Sequence, residues 1–249
     1  DLSFSVSGSG FGDTLTGGSG VDVIVGNAGD DTISGGAGAD SLVGSAGNDS
    51  LLGGEGADTL VGGDGNDYIF LAETTSAADV VQLNGSANLT AAALVSTGAG
   101  GYYNSALGGY DTVSSFNSAS DKLQFGSTWL GGGAFGSGSY AGIASGAYSG
   151  AGSDLNGKIV YASATQANVS GSGAIKTIVD GSGDGFSVAG SQKAVVIAGD
   201  GSNTYVWYVN DSLDGTATDL SSTDIVLIGK LEGFGGTGLT AATNFLAAV

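Results

Sequence analysis

Cysteine, histidine, methionine, proline and arginine are all missing from these 249 residues. Without cysteine there is neither a disulfide framework nor thiol chemistry, and redox logic assigns no compartment. Nucleophilic triads and most general acid–base sites draw on histidine, cysteine or arginine, and no H-E-x-x-H zinc motif exists. The 24 acids form no convincing carboxylate pair for glycoside hydrolysis, so the expectation is a protein that is not an enzyme. The same absences leave zinc and copper without the nitrogen and sulfur ligands they favour. Lack of proline removes the slow cis/trans phase from folding.

Positive charge is scarce too: five basic residues, all lysine, stand against 24 acids, for a net charge of -19. Phosphate contacts need Lys and Arg, so nucleic acid is excluded as a partner, and a cation is the natural counterpart. No apolar run reaches the roughly 18 residues that span a bilayer, and Asp1-Leu2-Ser3-Phe4 carries no basic region ahead of an apolar one. A soluble chain, not transmembrane and without an N-terminal signal peptide, is expected. The absence of an initiator methionine points to a processed chain or a fragment.

What is present is glycine, 50 residues of it, with 41% apolar residues, enough for a buried core. Residues 1–70 hold eleven acids and no lysine, so the demand for positive charge is concentrated there. That segment divides into nines: GSGFGDTLT from Gly8, GGSGVDVIV from Gly17, GNAGDDTIS from Gly26, GGAGADSLV from Gly35, GSAGNDSLL from Gly44, GGEGADTLV from Gly53 and GGDGNDYIF from Gly62. The sixth position is always aspartate (Asp13, Asp22, Asp31, Asp40, Asp49, Asp58, Asp67). The eighth is always Leu or Ile (Leu15, Ile24, Ile33, Leu42, Leu51, Leu60, Ile69).

The pattern resembles the RTX nonapeptide G-G-x-G-x-D-x-U-x, a calcium-binding repeat, over about a quarter of the chain. Four of the seven units match at every position; Ser9, Asn27 and Ser45 replace the second glycine, and Phe11 the third. The residues fit this resemblance. Glycines supply positive-φ turns, and the last three residues of each unit form a short strand whose eighth residue points into a narrow apolar core. Two repeats per coil, as the resemblance implies, give about three and a half coils. Asp13, Asp31, Asp49 and Asp67 then line one edge, and Asp22, Asp40 and Asp58 the other.

Carboxylates stacked about 4.8 Å apart repel by about 1 kcal/mol per pair in water and about 3.5 at an effective dielectric of about 20. A hard cation between coils reverses the sign. Oxygen ligands in flexible loops suit Ca²⁺ better than Mg²⁺. The expected metal positions are the seven aspartates with the turns of Gly18, Gly20, Gly29, Gly36, Gly38, Gly47, Gly54, Gly56, Gly63 and Gly65. Asp30, Glu55 and Asp64 are read as solvent-facing charges.

Beyond Phe70, ADVVQL, GKIVYA, KAVVIAG, TYVWYV and STDIVLIG read as strands, and LTAAALV from Leu89 to Val95 as a helix. The fold class is therefore all-β: a calcium-binding parallel β-roll over residues 1–70, then a β-sandwich-like or extended-roll domain over 71–249. GYDTVSSFNSASDKLQFG resembles the segment that follows RTX repeats in secreted proteins, which makes it a cap carrying Phe116 and Leu123. Asp111 and Asp121 in it either ligate an edge calcium or cap turns. The segment from Lys193 to Val249 resembles the tail of type I-secreted RTX proteins. Asp180-Gly-Ser-Gly-Asp-Gly resembles half an EF-hand loop, but Ser191 stands where the bidentate Glu belongs, so it reads as a hairpin turn, as does Asp200-Gly-Ser-Asn.

The Gly/Ser/Ala tracts from Gly98 and Gly131 carry Tyr102, Tyr103, Tyr110, Phe135, Tyr140 and Tyr148, either as flexible loops or as docking aromatics. As a whole the chain resembles RTX-bearing bacterial S-layer proteins: secreted, calcium-dependent, self-assembling, with cell-surface polysaccharide as a further partner. The alternatives are a calcium-folding and type I export module of a larger adhesin or hydrolase, and a glycan-binding module.

Overall fold

Alternate residues of a strand face opposite ways, so an aliphatic side chain two residues after each aspartate must find a common interior. A computed structural model describes residues 2–83, 94–96, 102–104, 110–125, 140–143, 158–162, 193–210, 225–236, 238–239 and 244–246. The repeats supply β1 (Ser5–Ser7), β2 (Thr14–Thr16), β3 (Val23–Ala28), β4 (Thr32–Ala37), β5 (Ser41–Ala46), β6 (Ser50–Glu55), β7 (Thr59–Asp64) and β8 (Tyr68–Phe70). Odd strands pair in parallel in one sheet and even strands in another, with residues 18 apart in register, as in Ile24↔Leu42 and Ile33↔Leu51. Two nonapeptides therefore make one coil.

The inner strands are six residues long rather than three. Coils above and below also pair the turn backbone, as in Gly36↔Gly54 and Ser45↔Gly63, and this carries each strand past the first glycine. Inside, Ile24, Leu42 and Leu60 of one sheet and Ile33, Leu51 and Ile69 of the other are completely or almost completely buried in one cluster. Burial of each such side chain stabilises by about 1.5–3 kcal/mol.

Neither sheet stops at Phe70. β9 (Val80–Leu83) stacks on β7, and β13 (Lys122–Phe125) stacks on β9, adding Val81 and Leu123 to one row. β12 (Asp111–Ser114) stacks on β8, and β18 (Ile225–Glu232) stacks on β12, adding Val113 and Leu231 to the other. All these contacts are parallel, so the domain after the repeats extends the roll.

The second sheet then runs on through β17 (Thr204–Asn210) and β16 (Lys193–Gly199), both antiparallel, to β15 (Lys158–Ala162) and β14 (Tyr140–Ile143). Val195, Ile197, Val206, Tyr208, Val226 and Ile228 join the roll's core, while the alternate residues Val196, Trp207 and Leu227 are buried on the other face. β10 (Leu94–Ser96) and β11 (Tyr102–Asn104) form a hairpin against β18. The expected helix is thereby corrected over its last two residues, since the β-branched Val95 pairs with Tyr103 in a strand; residues 89–93 lie outside the described set.

The far end of the roll is sealed. Phe116 and Leu123 are buried as expected of a cap, and Phe116 packs edge-to-face on Phe234 at 5.5 Å. Phe245 bridges Leu123, and Asn244 donates to the carbonyls of Ser118 and Asp121. Asp200 turns the β16–β17 hairpin: its Oδ1 accepts the amides of Ser202 and Asn203, which hold its carboxyl below the usual range. The Asp180 loop lies outside the described residues, as does most of the tract from Gly131.

Candidate metal centre

Each repeat aspartate follows a turn and opens a strand, which places it where consecutive coils overlap. On one edge the amide of Asp13 donates to Asp31 Oδ1 (2.7 Å), that of Asp31 to Asp49 Oδ1 (2.8 Å) and that of Asp49 to Asp67 Oδ1 (2.8 Å). On the other, Phe4 donates to Asp22 Oδ1 (2.6 Å), Asp22 to Asp40 Oδ1 (2.8 Å) and Asp40 to Asp58 Oδ1 (2.8 Å). One oxygen of each carboxylate except that of Asp13 is thus spent on holding the coil beneath it.

The second oxygen is the informative one. Oδ2 of Asp31, Asp40, Asp49, Asp58 and Asp67 is buried with no hydrogen-bond partner. Each leans over the first glycine of its own unit; a Cβ on Gly26 would lie 2.1 Å from Asp31 Oδ2, so glycine there makes room for a carboxylate. Asp22 Oδ2 instead accepts the Gly18 amide (2.7 Å). Asp13, half-buried, accepts the Ser9 amide and hydroxyl, which hold its carboxyl below the usual range.

The turns explain the other glycines. Gly54 has φ 108° and Gly56 φ 117°, and a Cβ on either would meet the carbonyl oxygen of Gly36 or Gly38 below at 2.0 or 2.1 Å. Carbonyls of the second and fourth positions therefore point into the gap between coils. At two of the replaced glycines the backbone keeps its shape, with Asn27 at φ 82° and Ser45 at φ 90°; Ser9 and Phe11 in the first unit do not take a positive φ. Asn27 recovers part of the cost because its Nδ2 donates to Gly8 O (2.7 Å) and Ser7 Oγ (3.0 Å).

Buried like charges raise one another's proton affinity. Burial, with the carboxylates of Asp40 and Glu73 adding to it, pushes Asp58 up to about 6, against the opposing pull of the Asp40 amide. Asp67 is also pushed to about 6, by burial first and by Asp49 next. Asp40 and Asp49 are raised in the same way.

Two further groups extend these rows: Asp111, named in the sequence as an edge ligand or turn cap, and Asp79, which was not named there. Asp58 N–H donates to Asp79 Oδ1 (2.9 Å), and Asp67 N–H donates to Asp111 Oδ1 (3.2 Å). Burial pushes Asp79 to about 7 and raises Asp111 well above its ordinary value. For Asp79 the signal was available as the bare tripeptide aspartate–any–aliphatic in Asp79-Val80-Val81, shared with Asp111-Thr112-Val113 and without the glycines. Asp121 continues the Asp79 row and also caps its own turn, accepting the Asn117 amide (2.7 Å) and the Ser120 hydroxyl (2.8 Å).

Asp30 is exposed and Glu55 partly so, and both also hold hydrogen bonds to neighbouring turns. Glu55 accepts the amides and hydroxyls of Thr74 and Thr75, which lower its carboxyl to about 2. Asp30 Oδ1 accepts the Asn48 amide (2.7 Å), and Asn48 in turn accepts that of Asn66 (3.0 Å), a polar row beside the aspartates.

Among the described residues no three acidic side chains converge on one point. A cation here would take one or two carboxylates and complete its shell with turn carbonyls, as Ca²⁺ does. The orphaned Oδ2 atoms and the carbonyl-lined gaps fit such an ion. The family described as RTX calcium-binding nonapeptide repeat (4 copies) matches residues 7–42 and 34–69. Over residues 7–69 the roll is therefore similar to RTX calcium-binding repeats. No curated protein and no solved structure matches the chain.

Proposed function

We propose that this chain is a secreted structural protein that folds on meeting extracellular calcium and assembles on a cell surface in an S-layer-like array, without catalytic activity. The observation that carries the calcium part is the pair of buried aspartate rows with five unpartnered oxygens. Ions bound between coils would supply positive charge to the repeat aspartates and to the turn carbonyls of the second and fourth positions. The chain's own part is to aim those oxygens, to exclude water from the aliphatic row, and to hold the coils in register through the Oδ1 bonds. At submicromolar calcium the rows repel and the chain stays extended, which suits export through a narrow channel.

The assembly part is supported by the first coil. Among the described residues β1 and β2 each pair along one edge only, and Leu2, Phe4, Phe11, Val21 and Val23 are exposed beside them, Phe11 by 80%. Unpaired parallel edges with exposed apolar groups are templates for another chain. The same open edges favour the second reading, a folding and export module beneath further coils of a larger adhesin or hydrolase. Electron microscopy of the whole chain at millimolar Ca²⁺ separates the two: ordered sheets or filaments are expected, and monodisperse particles alone would sink the array.

A further inference from the structure

We propose that Asp67 and Asp111 together hold an oxygen-preferring divalent cation one coil beyond the last nonapeptide, so that the metal row outlasts the repeat. This rests on the reading of the roll as calcium-binding. Residues 110–114 stack on residues 66–70 as a further nonapeptide would. Tyr110 N–H donates to Asn66 Oδ1 (3.2 Å), Asp67 N–H to Asp111 Oδ1 (3.2 Å) and Thr112 N–H to the Asp67 carbonyl (2.8 Å), and Val113 pairs with Ile69. Asp111 thus holds the sixth position of a coil whose residues match no nonapeptide.

Both carboxylates are more than nine-tenths buried, Asp111 Oδ1 lies against the Asp67 amide, and Asp67 Oδ2 has no partner. Two buried carboxylates on consecutive coils need either a proton or a cation between them. Coulombic repulsion from Asp49 and Asp64 reaches the pair and works against both charges. The nearest strand neighbour that carries a lysine, β18, offers no relief, because Lys230 Nζ is paired with Glu232 Oε1 at 2.9 Å.

The opposite edge ends differently. There the turn from Leu71 to Asp79 is three residues longer, since Asp58 and Asp79 are 21 apart rather than 18. Glu73 reaches Gly56 N–H (3.4 Å) and Ala77 N–H, and Glu55 holds Thr74 and Thr75, so protein donors close that turn. Both edges carry an unpartnered oxygen, Asp58 Oδ2 there and Asp67 Oδ2 here, and on this edge the next coil sets the Asp111 carboxylate against the Asp67 amide. An ion with flexible coordination, Ca²⁺ rather than Mg²⁺, suits a pair of carboxylates on separate coils.

The test is calcium stoichiometry of the whole chain by native mass spectrometry and titration calorimetry, unaltered against Asp111→Asn. Asparagine keeps an oxygen for the Asp67 amide and removes the charge. One ion fewer per chain, with the remaining ions bound as before, is expected; equal stoichiometry and affinity overturn the proposal. An unaltered chain that binds no calcium at all overturns instead the reading of the roll on which the proposal rests. If Asp111→Asn does not fold in calcium, crystals of the unaltered chain grown with calcium decide. An anomalous peak about 2.3–2.6 Å from oxygens of both residues supports the site; a direct carboxyl–carboxylate hydrogen bond with no peak overturns it.

Discussion

Removing calcium and lowering the pH should act in opposite directions on the free and the loaded roll. Without metal, Asp58 and Asp67 titrate near 6 and Asp79 near 7, all raised from 3.8 chiefly by burial. A raised carboxyl means that the folded chain holds protons the unfolded chain has lost, so stability falls as pH climbs from about 4 to about 7. At about 1.4 kcal/mol per tenfold change in proton affinity, the penalty above pH 7 is about 3 kcal/mol each for Asp58 and Asp67 and about 4 for Asp79. That is comparable with the roughly 5–15 kcal/mol stability of a whole domain. The metal-free chain is therefore expected to be unfolded over its repeats at pH 7.5 and to gain β-structure at pH 4.5, where protons stand in for the cation. With saturating calcium the dependence inverts, because protons now compete with bound ions. Far-UV circular dichroism and thermal melts at both pH values, on calcium-stripped and calcium-loaded protein, read this directly. A metal-free roll that melts higher at pH 7.5 than at pH 4.5 would refute the reasoning.

Other expectations follow from single positions. Ser45 holds a left-handed backbone that favours glycine, so Ser45→Gly should stabilise the loaded roll by about 1 kcal/mol, seen as a rise of about 2–4 °C in Tm; a fall would show that the serine side chain matters more than its φ. Leu42 sits fully buried in the middle of its row, and Leu42→Ala should cost about 2–5 kcal/mol by leaving a cavity that stacked coils cannot close. Chemical denaturation in calcium measures it, and a loss below about 1 kcal/mol would mean that the coils can collapse.

The nonapeptide made the roll legible because everything needed to set its register lies within 18 residues. Ile33 pairs with Leu51 and Asp31 bonds to Asp49 by the same offset that the spelling shows. The two-edge arrangement of the aspartates follows from that constancy. Burial of those aspartates was less legible, since Asp in a Gly-rich turn usually faces water. Only when coils stack does the neighbouring amide claim one oxygen and the sheet cover the other. The partners of Glu55 were illegible for a similar reason: Thr74 and Thr75 arrive from a turn that obeys no repeat.

By itself, then, the sequence determined the coil, its aliphatic row, the glycines of its turns and the preference for a hard cation, because each depends on contacts at one fixed spacing. Tertiary structure alone decided where the roll ends. Asp79 joins its row at an offset of 21 and Asp111 at 44, and β18 returns from beyond residue 200 to pair with β12. Once loop lengths vary, no local period carries the register; backbone pairing and the burial of Val81, Val113 and Leu231 against the existing row select it.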